Sequence, residues 1–111
     1  MHNLKPVTNV IIAGLGGQGV VKASDILTGA VFAAGNDIKK SEIHGMSQRG
    51  GSVASDVRFG EKVLSPMVPP GEADYILVLT EDEADAVEDQ LKEGGILLTP
   101  ENLPGYIDED A

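Results

Sequence analysis

The 111-residue chain contains no cysteine and no tryptophan, and only two phenylalanines and two tyrosines. The absence of cysteine excludes disulfides, a thiol nucleophile, and zinc or iron–sulfur clusters held by cysteine. Because aromatic side chains are scarce, valine, isoleucine, leucine and alanine must fill the core. No apolar run approaches the roughly 20 residues that a membrane-spanning helix needs, and the N-terminus lacks the apolar region of a signal peptide. We therefore expect a cytoplasmic protein with no membrane contact.

Positive charge is also scarce, with 8 Lys and Arg against 18 Asp and Glu and a net charge of −10. The imbalance is concentrated in residues 71–111, which carry thirteen acidic residues and one lysine. Proteins that bind nucleic acid usually present a basic surface, so this composition argues against a nucleic-acid partner. The acidic part is either a solvated surface with a tail or a docking face for a basic partner subunit.

Hydrophobic periodicity predicts strands alternating with helices along most of the chain. We expect strands over residues 7–13, 37–43, 52–59, 62–65, 75–79 and 96–99, and helices over residues 19–34 and 81–93. Gly60 and Glu61 fit a two-residue hairpin turn before the strand over residues 62–65. Thr80 and Glu83 have the spacing of a capping box at the start of the second helix, and a Gly-Gly pair at residues 94–95 predicts its end.

This order predicts an α/β fold, namely a Rossmann-like three-layer αβα domain with a mostly parallel sheet and an inserted β-hairpin. Ligands of such sheets bind beyond the carboxyl ends of the strands. Residues 14–19 and 44–51 both follow predicted strands. We therefore expect these two segments to face one crevice.

The first segment follows an apolar strand with a G-x-G-x-x-G pattern made by Gly14, Gly16 and Gly19, with Gly17 in between. In this pattern Gly14 permits a tight bend, Gly16 lets an anion approach the backbone, and Gly19 allows the helix to pack closely on the strand. The free amides at the helix start then bind negative charge. The alternative is a glycine-rich turn that joins strand to helix without a ligand.

The sequence predicts the binding of a dinucleotide less strongly than the binding of another anion. Dinucleotide sites have an acidic residue roughly 20 residues after the glycines, at the end of the second strand, where it holds the ribose hydroxyls. Glu42 is near that position, but Lys39 and Lys40 precede it and His44 follows closely.

The second segment is dense in polar donors and glycines for a loop inside a compact domain. Arg49 is a forked cation suited to carboxylate or phosphate. Gly50 and Gly51 expose backbone amides beside it, and Ser47 and Gln48 add neutral donors. The alternative is a surface loop in which Arg49 pairs with a local carboxylate.

No group of residues forms a complete catalytic set. His44 has no second ligand at metal-binding spacing, and Glu42 and Asp56 do not form a convincing acid–base pair. Ser47 and Ser52 lack the sequence context of a nucleophile elbow. We predict no catalytic residue and no metal site in this chain.

The two glycine-containing segments occur together with shorter motifs at a specific spacing. The stretches are residues 14–20 (GLGGQGV), 39–53 (KKSEIHGMSQRGGSV), 57–60 (VRFG) and 71–74 (GEAD). Together they resemble the gamma-type subunit of 2-oxoacid:ferredoxin oxidoreductases over residues 7–99. Residues 41–52 are most similar to the indolepyruvate oxidoreductase beta subunit.

The resemblance implies a subunit of an enzyme that oxidatively decarboxylates a 2-oxoacid, such as indolepyruvate, pyruvate or 2-oxoglutarate, with thiamine diphosphate and coenzyme A. Electrons then pass to ferredoxin. The resemblance also implies that thiamine diphosphate and the iron–sulfur clusters are bound by partner subunits and that this chain alone binds no cofactor. It further implies that the isolated chain is inactive. The chain would shape the coenzyme A or substrate side of the site through a set of cofactor-binding residues: Gly14, Gly16, Gly17, Gly19, Ser47, Gln48, Arg49, Gly50 and Gly51.

Members of that family continue past the strand equivalent to residues 96–99. The resemblance therefore implies that residues 1–111 form a single, C-terminally truncated domain, and an exposed sheet edge would favour a homodimer of the isolated chain.

From the residues alone, two other functions remain open. One is a stand-alone nucleotide-binding module, and the other is a structural interaction domain without a ligand.

Overall fold

The computed structural model describes residues 6–44 and 51–102, without the side chains of residues 17, 18, 43 and 44. The strands are β1 (Thr8–Leu15), β2 (Asp37–His44), β3 (Ser52–Gly60), β4 (Ala73–Val78) and β5 (Leu91–Leu98). Helix α1 (Gly17–Ala33) follows β1. Between β4 and β5 lie a 3-10 turn (Glu81–Glu83), the short helix α2 (Ala84–Val87) and a second 3-10 turn (Glu88–Gln90).

The five strands form one mixed sheet in the order β2-β3-β1-β4-β5. β1 is parallel to β4, and β4 is parallel to β5. β3 is antiparallel to both of its neighbours, β1 and β2. The predicted α/β class is confirmed. The sheet is not mostly parallel as predicted, because two of its strand pairs are parallel and two are antiparallel.

This topology places several chain segments at one edge of the sheet, here called the carboxyl edge. Because β3 runs against both β1 and β2, those two strands run in the same direction as each other and as β4. The ends of β1, β2 and β4 and the start of β3 therefore lie at the carboxyl edge. The pairing of Leu15 with Ser52 marks this edge in the β1–β3 ladder.

A buried hydrophobic cluster lies on each face of the sheet. On one face, α1 contributes Val20 to a buried cluster with Val10, Ile12, Val53 and Val57. On the other face, a second cluster contains Ile11, Val68, Ala73, Ile76 and Val78, with Ala84 and Val87 of α2 packed against it. The central sheet thus lies between α1 and a layer built from the segment before β4 and α2, which agrees with the predicted three layers.

The observed β1 and α1 start and end within two residues of their predicted limits. Six strand residues from Asn9 to Gly14 are buried, as expected of a strand that has neighbours on both sides. Helix α1 ends where predicted, because Gly35 adopts a left-handed φ of +93° and stops the helix.

The predicted strand over residues 62–65 and its hairpin turn are wrong. Within the described residues, the segment after β3 has no strand before β4. Its polar groups bond to side chains instead, since the Val63 amide donates to Asp37 Oδ2 at 2.9 Å and Arg58 donates to the Ser65 carbonyl at 2.9 Å. The antiparallel strand in the sheet is instead β3, which lies between β2 and β1.

The predicted helix over residues 81–93 is also wrong in extent. α2 has four residues, and β5 begins at Leu91. Gly94 and Gly95 lie inside β5, where its pairing with β4 is irregular. A Cβ at Gly95 would lie 3.0 Å from the carbonyl oxygens of Ala73 and Asp74. Of the carboxylates in this segment, only Glu88 and Asp89 have a basic residue one turn away, and that residue, Lys92, forms an ion pair with Asp74 instead. Ion pairs along the helix therefore give little support to a longer helix.

The predicted capping box does not form. The Thr80 side chain makes no capping hydrogen bond, and the Glu83 amide donates to the Thr80 carbonyl oxygen at 2.8 Å, as in a 3-10 turn. Thr80 Oγ1 instead accepts from the Leu15 amide at 3.4 Å, and Glu83 Oε1 accepts from Ser52 Oγ at 3.1 Å. Both side chains therefore bind segments at the carboxyl edge.

Candidate functional site

The candidate site lies at the carboxyl edge, where three segments meet. They are the turn between β1 and α1, the residues Gly51 and Ser52 at the start of β3, and the segment from Leu79 to Glu83 after β4. The Gly16 amide donates a 2.7 Å hydrogen bond to the Gly51 carbonyl oxygen. The structure thus brings the glycine turn against the last residue of the predicted Arg-Gly-Gly motif.

The glycines of the turn have different steric roles from those predicted. Gly14 lies within β1, where a Cβ would be 3.2 Å from Leu79 Cβ and 3.3 Å from Val20 Cγ2. The bend occurs at Gly16, which has a φ of +77°. A Cβ at Gly19 would be 3.5 Å from Leu79 Cδ1, an ordinary contact. Close packing therefore requires glycine at position 14, and the bend requires it at position 16.

The backbone amides of the turn are not equally available to a ligand. The Gly16 amide is already bonded to Gly51, and the Leu15 amide points to Thr80. The first amides of α1, from residue 17 to residue 19, have no acceptor within their own helix, as at every helix N-terminus. No acidic side chain lies in that first turn, and Gly16 supplies no side-chain cap. These amides are the donors that an anion would use.

Glu83 is the residue of this edge that sequence reasoning misassigned. It is 4% exposed and its carboxylate accepts the Ser52 hydroxyl, so it holds the start of β3 against the segment after β4. The signal that could have found it is its position four residues before Val87 and eight before Leu91, which places it on the apolar side of the predicted helix.

Four predicted site residues, Ser47, Gln48, Arg49 and Gly50, lie outside the described residues, and their contribution stays a prediction. The residues that flank this segment are placed: His44 ends β2 and Gly51 precedes β3, both at the carboxyl edge. Gly51 has a φ of +91°, which favours glycine.

Glu42 is not positioned to hold the ribose of a dinucleotide at the glycine turn. Its strand, β2, is separated from β1 by β3, which corresponds to about 10 Å at the usual strand spacing. The Glu42 carboxylate forms a 3.3 Å ion pair with Lys40, which also lies 2.6 Å from Asp25. The hydrogen bond that Lys40 donates to Asp25 raises the pKa of Lys40, so the cation is firmly held in this bridge between β2 and α1.

Among the described residues, no group of three His, Asp or Glu side chains is placed to hold a metal ion. In the same part of the chain, no helix combines the length and apolar character that crossing a membrane requires.

Comparison with known proteins identifies the family. A sequence model of the family described as pyruvate ferredoxin/flavodoxin oxidoreductase matches residues 9–109. The chain is 47% identical over 91 residues to "Indolepyruvate oxidoreductase subunit IorB" of Thermococcus kodakarensis, covering 82% of this chain and 45% of the relative. It is 46% identical, with the same coverage, to the protein of that name from Pyrococcus horikoshii. The resemblance inferred from the motifs is thus confirmed.

A solved structure shares the fold. The gamma subunit of a keto/oxoacid ferredoxin oxidoreductase from Geobacter sulfurreducens superimposes with a TM-score of 0.68 at 28% identity, over 86% of this chain and 51% of that one. The chain spans about half the length of the relatives that it matches. By its family match and its fold, the chain belongs to the pyruvate ferredoxin/flavodoxin oxidoreductase family.

Proposed function

We propose that the chain serves as an accessory subunit of a cytoplasmic 2-oxoacid:ferredoxin oxidoreductase of the indolepyruvate type. We further propose that the carboxyl edge binds an anionic group at the border of the active site. The observation that carries the second proposal is the hydrogen bond between Gly16 and Gly51. It joins the two segments whose sequences independently suggest anion binding.

Each part of the edge has a role in this proposal. The first amides of α1 donate hydrogen bonds to the anion, and Arg49 supplies the positive charge. The anion is a phosphate of coenzyme A or the carboxylate of the 2-oxoacid.

The redox chemistry belongs to partner subunits. This chain has no cysteine to ligate an iron–sulfur cluster, so the clusters, together with thiamine diphosphate, are assigned to a larger partner that passes electrons to ferredoxin. The isolated chain is accordingly inactive in this proposal.

The test is an assay of the assembled complex. The chain is purified with its thiamine-binding partner, and coenzyme A-dependent oxidation of indolepyruvate, pyruvate and 2-oxoglutarate is followed by ferredoxin reduction. Arg49→Ala should raise the KM for coenzyme A or for the 2-oxoacid by about tenfold or more. Lys62→Ala is the matched control, since it removes an exposed cation beyond the opposite end of β3. Equal kinetics for both variants would remove Arg49 from the site.

Calorimetry on the isolated chain separates this proposal from the two alternatives. Micromolar binding of NAD, NADP or FAD without a partner would favour a stand-alone nucleotide-binding module. Partner binding that survives Gly16→Val, with no affinity for any anion in the complex, would favour a purely structural interaction domain.

A further inference from the structure

A single peptide unit links the three segments that meet at the carboxyl edge. This unit joins Gly51 to Ser52 and is held from two sides. Its carbonyl oxygen accepts the 2.7 Å hydrogen bond from the Gly16 amide, in the turn before α1. The Ser52 hydroxyl donates to Glu83 Oε1 at 3.1 Å, in the segment after β4. The position of the Gly51 carbonyl is therefore set by both contacts.

Glu83 is a firm anchor for the second contact, because its own segment is tied to β1. The Leu79 amide donates to the Ala13 carbonyl oxygen at 2.8 Å, and the Glu83 amide donates to the Thr80 carbonyl oxygen at 2.8 Å. Glu83 is also 4% exposed, so the packing around it restricts the conformations of its side chain. An acceptor that is locked in this way orients the donor that binds it.

The Gly51 carbonyl needs such support because both residues of its hydrogen bond are glycines. Gly51 has a φ of +91° and Gly16 has a φ of +77°. Without a Cβ, both backbones can adopt many other conformations. Ser52 is the first residue after Gly51 with a side chain, and its bond to Glu83 adds a restraint to the pairing of Ser52 with Leu15. The side chain of Ser52 thus restrains the flexible glycine before it.

The orientation of the Gly51 carbonyl matters for the proposed anion. The amides of residues 17–19 follow directly after Gly16 and have no acceptor within their own helix. A carbonyl oxygen is a hydrogen-bond acceptor with a partial negative charge. If the Gly51 carbonyl were released from Gly16, it would compete with the anion for these amides. While it is bonded to Gly16, the three amides remain available.

We propose that Glu83 is a positioning residue for the anion site. Acting through Ser52, it holds the Gly51 carbonyl on the Gly16 amide and so leaves the first amides of α1 to the anion. The inference rests on the proposed function, since it requires an anion at the carboxyl edge. It holds for either of the two candidate anions, and Glu83 itself does not contact the anion.

The test uses the assembled complex and measures kcat, the KM for coenzyme A and the KM for the 2-oxoacid. Glu83→Ala and Ser52→Ala should each raise the KM for the anion that binds here by about threefold to tenfold, the value of one hydrogen bond. Because the anion is bound equally in the ground state and in the transition state, kcat should change by less than about twofold. The double variant should have no larger effect than either single variant, since both substitutions remove the same bond.

Conservative variants separate the hydrogen bond from the rest of each side chain. Glu83→Gln keeps an acceptor oxygen and Ser52→Thr keeps the hydroxyl, so the KM values of both should stay within about twofold of the parent. If KM rises as much in these two variants as in the alanine variants, the bond is not what positions the site and the proposal is overturned.

Asn9→Ala is the matched control for a general loss of stability. Asn9 is 8% exposed, and its side chain donates to the Glu72 carbonyl oxygen at 3.0 Å and accepts from Arg58 Nε at 2.8 Å. It lies near the start of β1, at the end of the strand opposite the carboxyl edge. Urea unfolding should show a loss of stability comparable to that in Glu83→Ala, whereas both KM values should match the parent. An equal rise in KM in Asn9→Ala would show that KM follows stability, and it would overturn the proposal.

Arg49→Ala distinguishes failure of this inference from failure of the proposed function. A raised KM in Arg49→Ala, with parental KM values in Glu83→Ala and Ser52→Ala, would keep the anion site and overturn the positioning role. Parental kinetics in all three variants would overturn both. A KM raised only by the changes at positions 83 and 52 would remove Arg49 from the site and support the positioning role.

Discussion

The Gly16 amide and the Gly51 carbonyl oxygen lie 2.7 Å apart in a hydrogen bond that ties the turn after β1 to the residue before β3. Both residues have left-handed φ angles, +77° and +91°. The bond therefore joins two backbone positions that favour glycine. It also fixes the end of the segment that carries Arg49 beside the start of α1.

Gly16→Ala should lower the free energy of unfolding by about 1–2 kcal/mol, because a left-handed backbone is costly for a residue with a Cβ. No atom would lie within 4 Å of the new Cβ, so the cost comes from the backbone alone. Urea denaturation measures it. Gly29→Ala is the matched control, since it also meets open space but lies in α1, where alanine should gain about 0.5–1 kcal/mol. Equal effects of the two substitutions would contradict this account.

Gly14→Ala tests the close packing of β1 under α1. The added Cβ would meet Leu79 Cβ at 3.2 Å and Val20 Cγ2 at 3.3 Å, so we expect a loss of about 1–3 kcal/mol from overpacking. Gly19→Ala meets Leu79 Cδ1 at 3.5 Å and should be neutral or slightly stabilising. Thermal unfolding of both variants gives the comparison. A larger loss at position 19 than at position 14 would show that the packing has been misassigned.

Local signals account for the parts of the fold that could be predicted. The strand, turn and helix from β1 to α1 are encoded by an apolar run, glycines and a helical period that lie next to one another in sequence. The position of β3 between β1 and β2 depends instead on pairing between distant segments, such as Val10 with Val57. Neither periodicity nor turn signals specify that order.

The region between β4 and β5 shows how a local pattern can mislead. Thr80 and Glu83 have capping-box spacing, but both side chains bond across the sheet edge to Leu15 and Ser52. Pairing with β4 extends β5 back to Leu91, through glycines that would otherwise indicate a helix end. For the site, the sequence predicted that residues 14–19 and 44–51 face one crevice, and the structure joins the two segments through Gly16 and Gly51. The role of the buried Glu83 required the three-dimensional arrangement.

The bond between Ser52 and Glu83 should contribute measurably to stability. Glu83→Ala removes the acceptor of a hydroxyl at a position that is 4% exposed, and the expected loss is about 1–3 kcal/mol. A double-mutant cycle with Ser52→Ala should give a coupling energy of about 0.5 kcal/mol or more. Asp82→Ala, a neighbouring exposed carboxylate, should change stability by less than about 0.5 kcal/mol. If the losses in the free energy of unfolding from the two substitutions are additive, the hydrogen bond between Ser52 and Glu83 contributes nothing measurable to stability.

Asp56 should make the fold less stable as the pH rises through the acid range. Burial raises the pKa of its carboxyl above the ordinary value of 3.8, against the opposing hydrogen bond from the Val68 amide and the charge of Arg58. A carboxyl whose pKa is higher in the folded state favours folding below its unfolded pKa and loses that contribution as the pH rises through the folded pKa. Asp56→Asn keeps an acceptor for the Val68 amide, which donates at 2.9 Å. The variant should therefore be more stable than the parent at pH 7, and the difference should shrink toward pH 3.

Asp37 provides a control of opposite sign for that experiment. Its pKa is lowered, chiefly by the hydrogen bond from the Val63 amide. A carboxyl with a lowered pKa contributes stability above its unfolded pKa and loses it as the pH falls through the folded pKa. Asp37→Asn should thus be less stable than the parent at pH 7 and approach it in acid, whereas Asp56→Asn shows the reverse order. Urea unfolding at a series of pH values measures the difference in the free energy of unfolding between each variant and the parent. If both differences have the same sign at pH 7, burial is not the dominant influence on the pKa of Asp56.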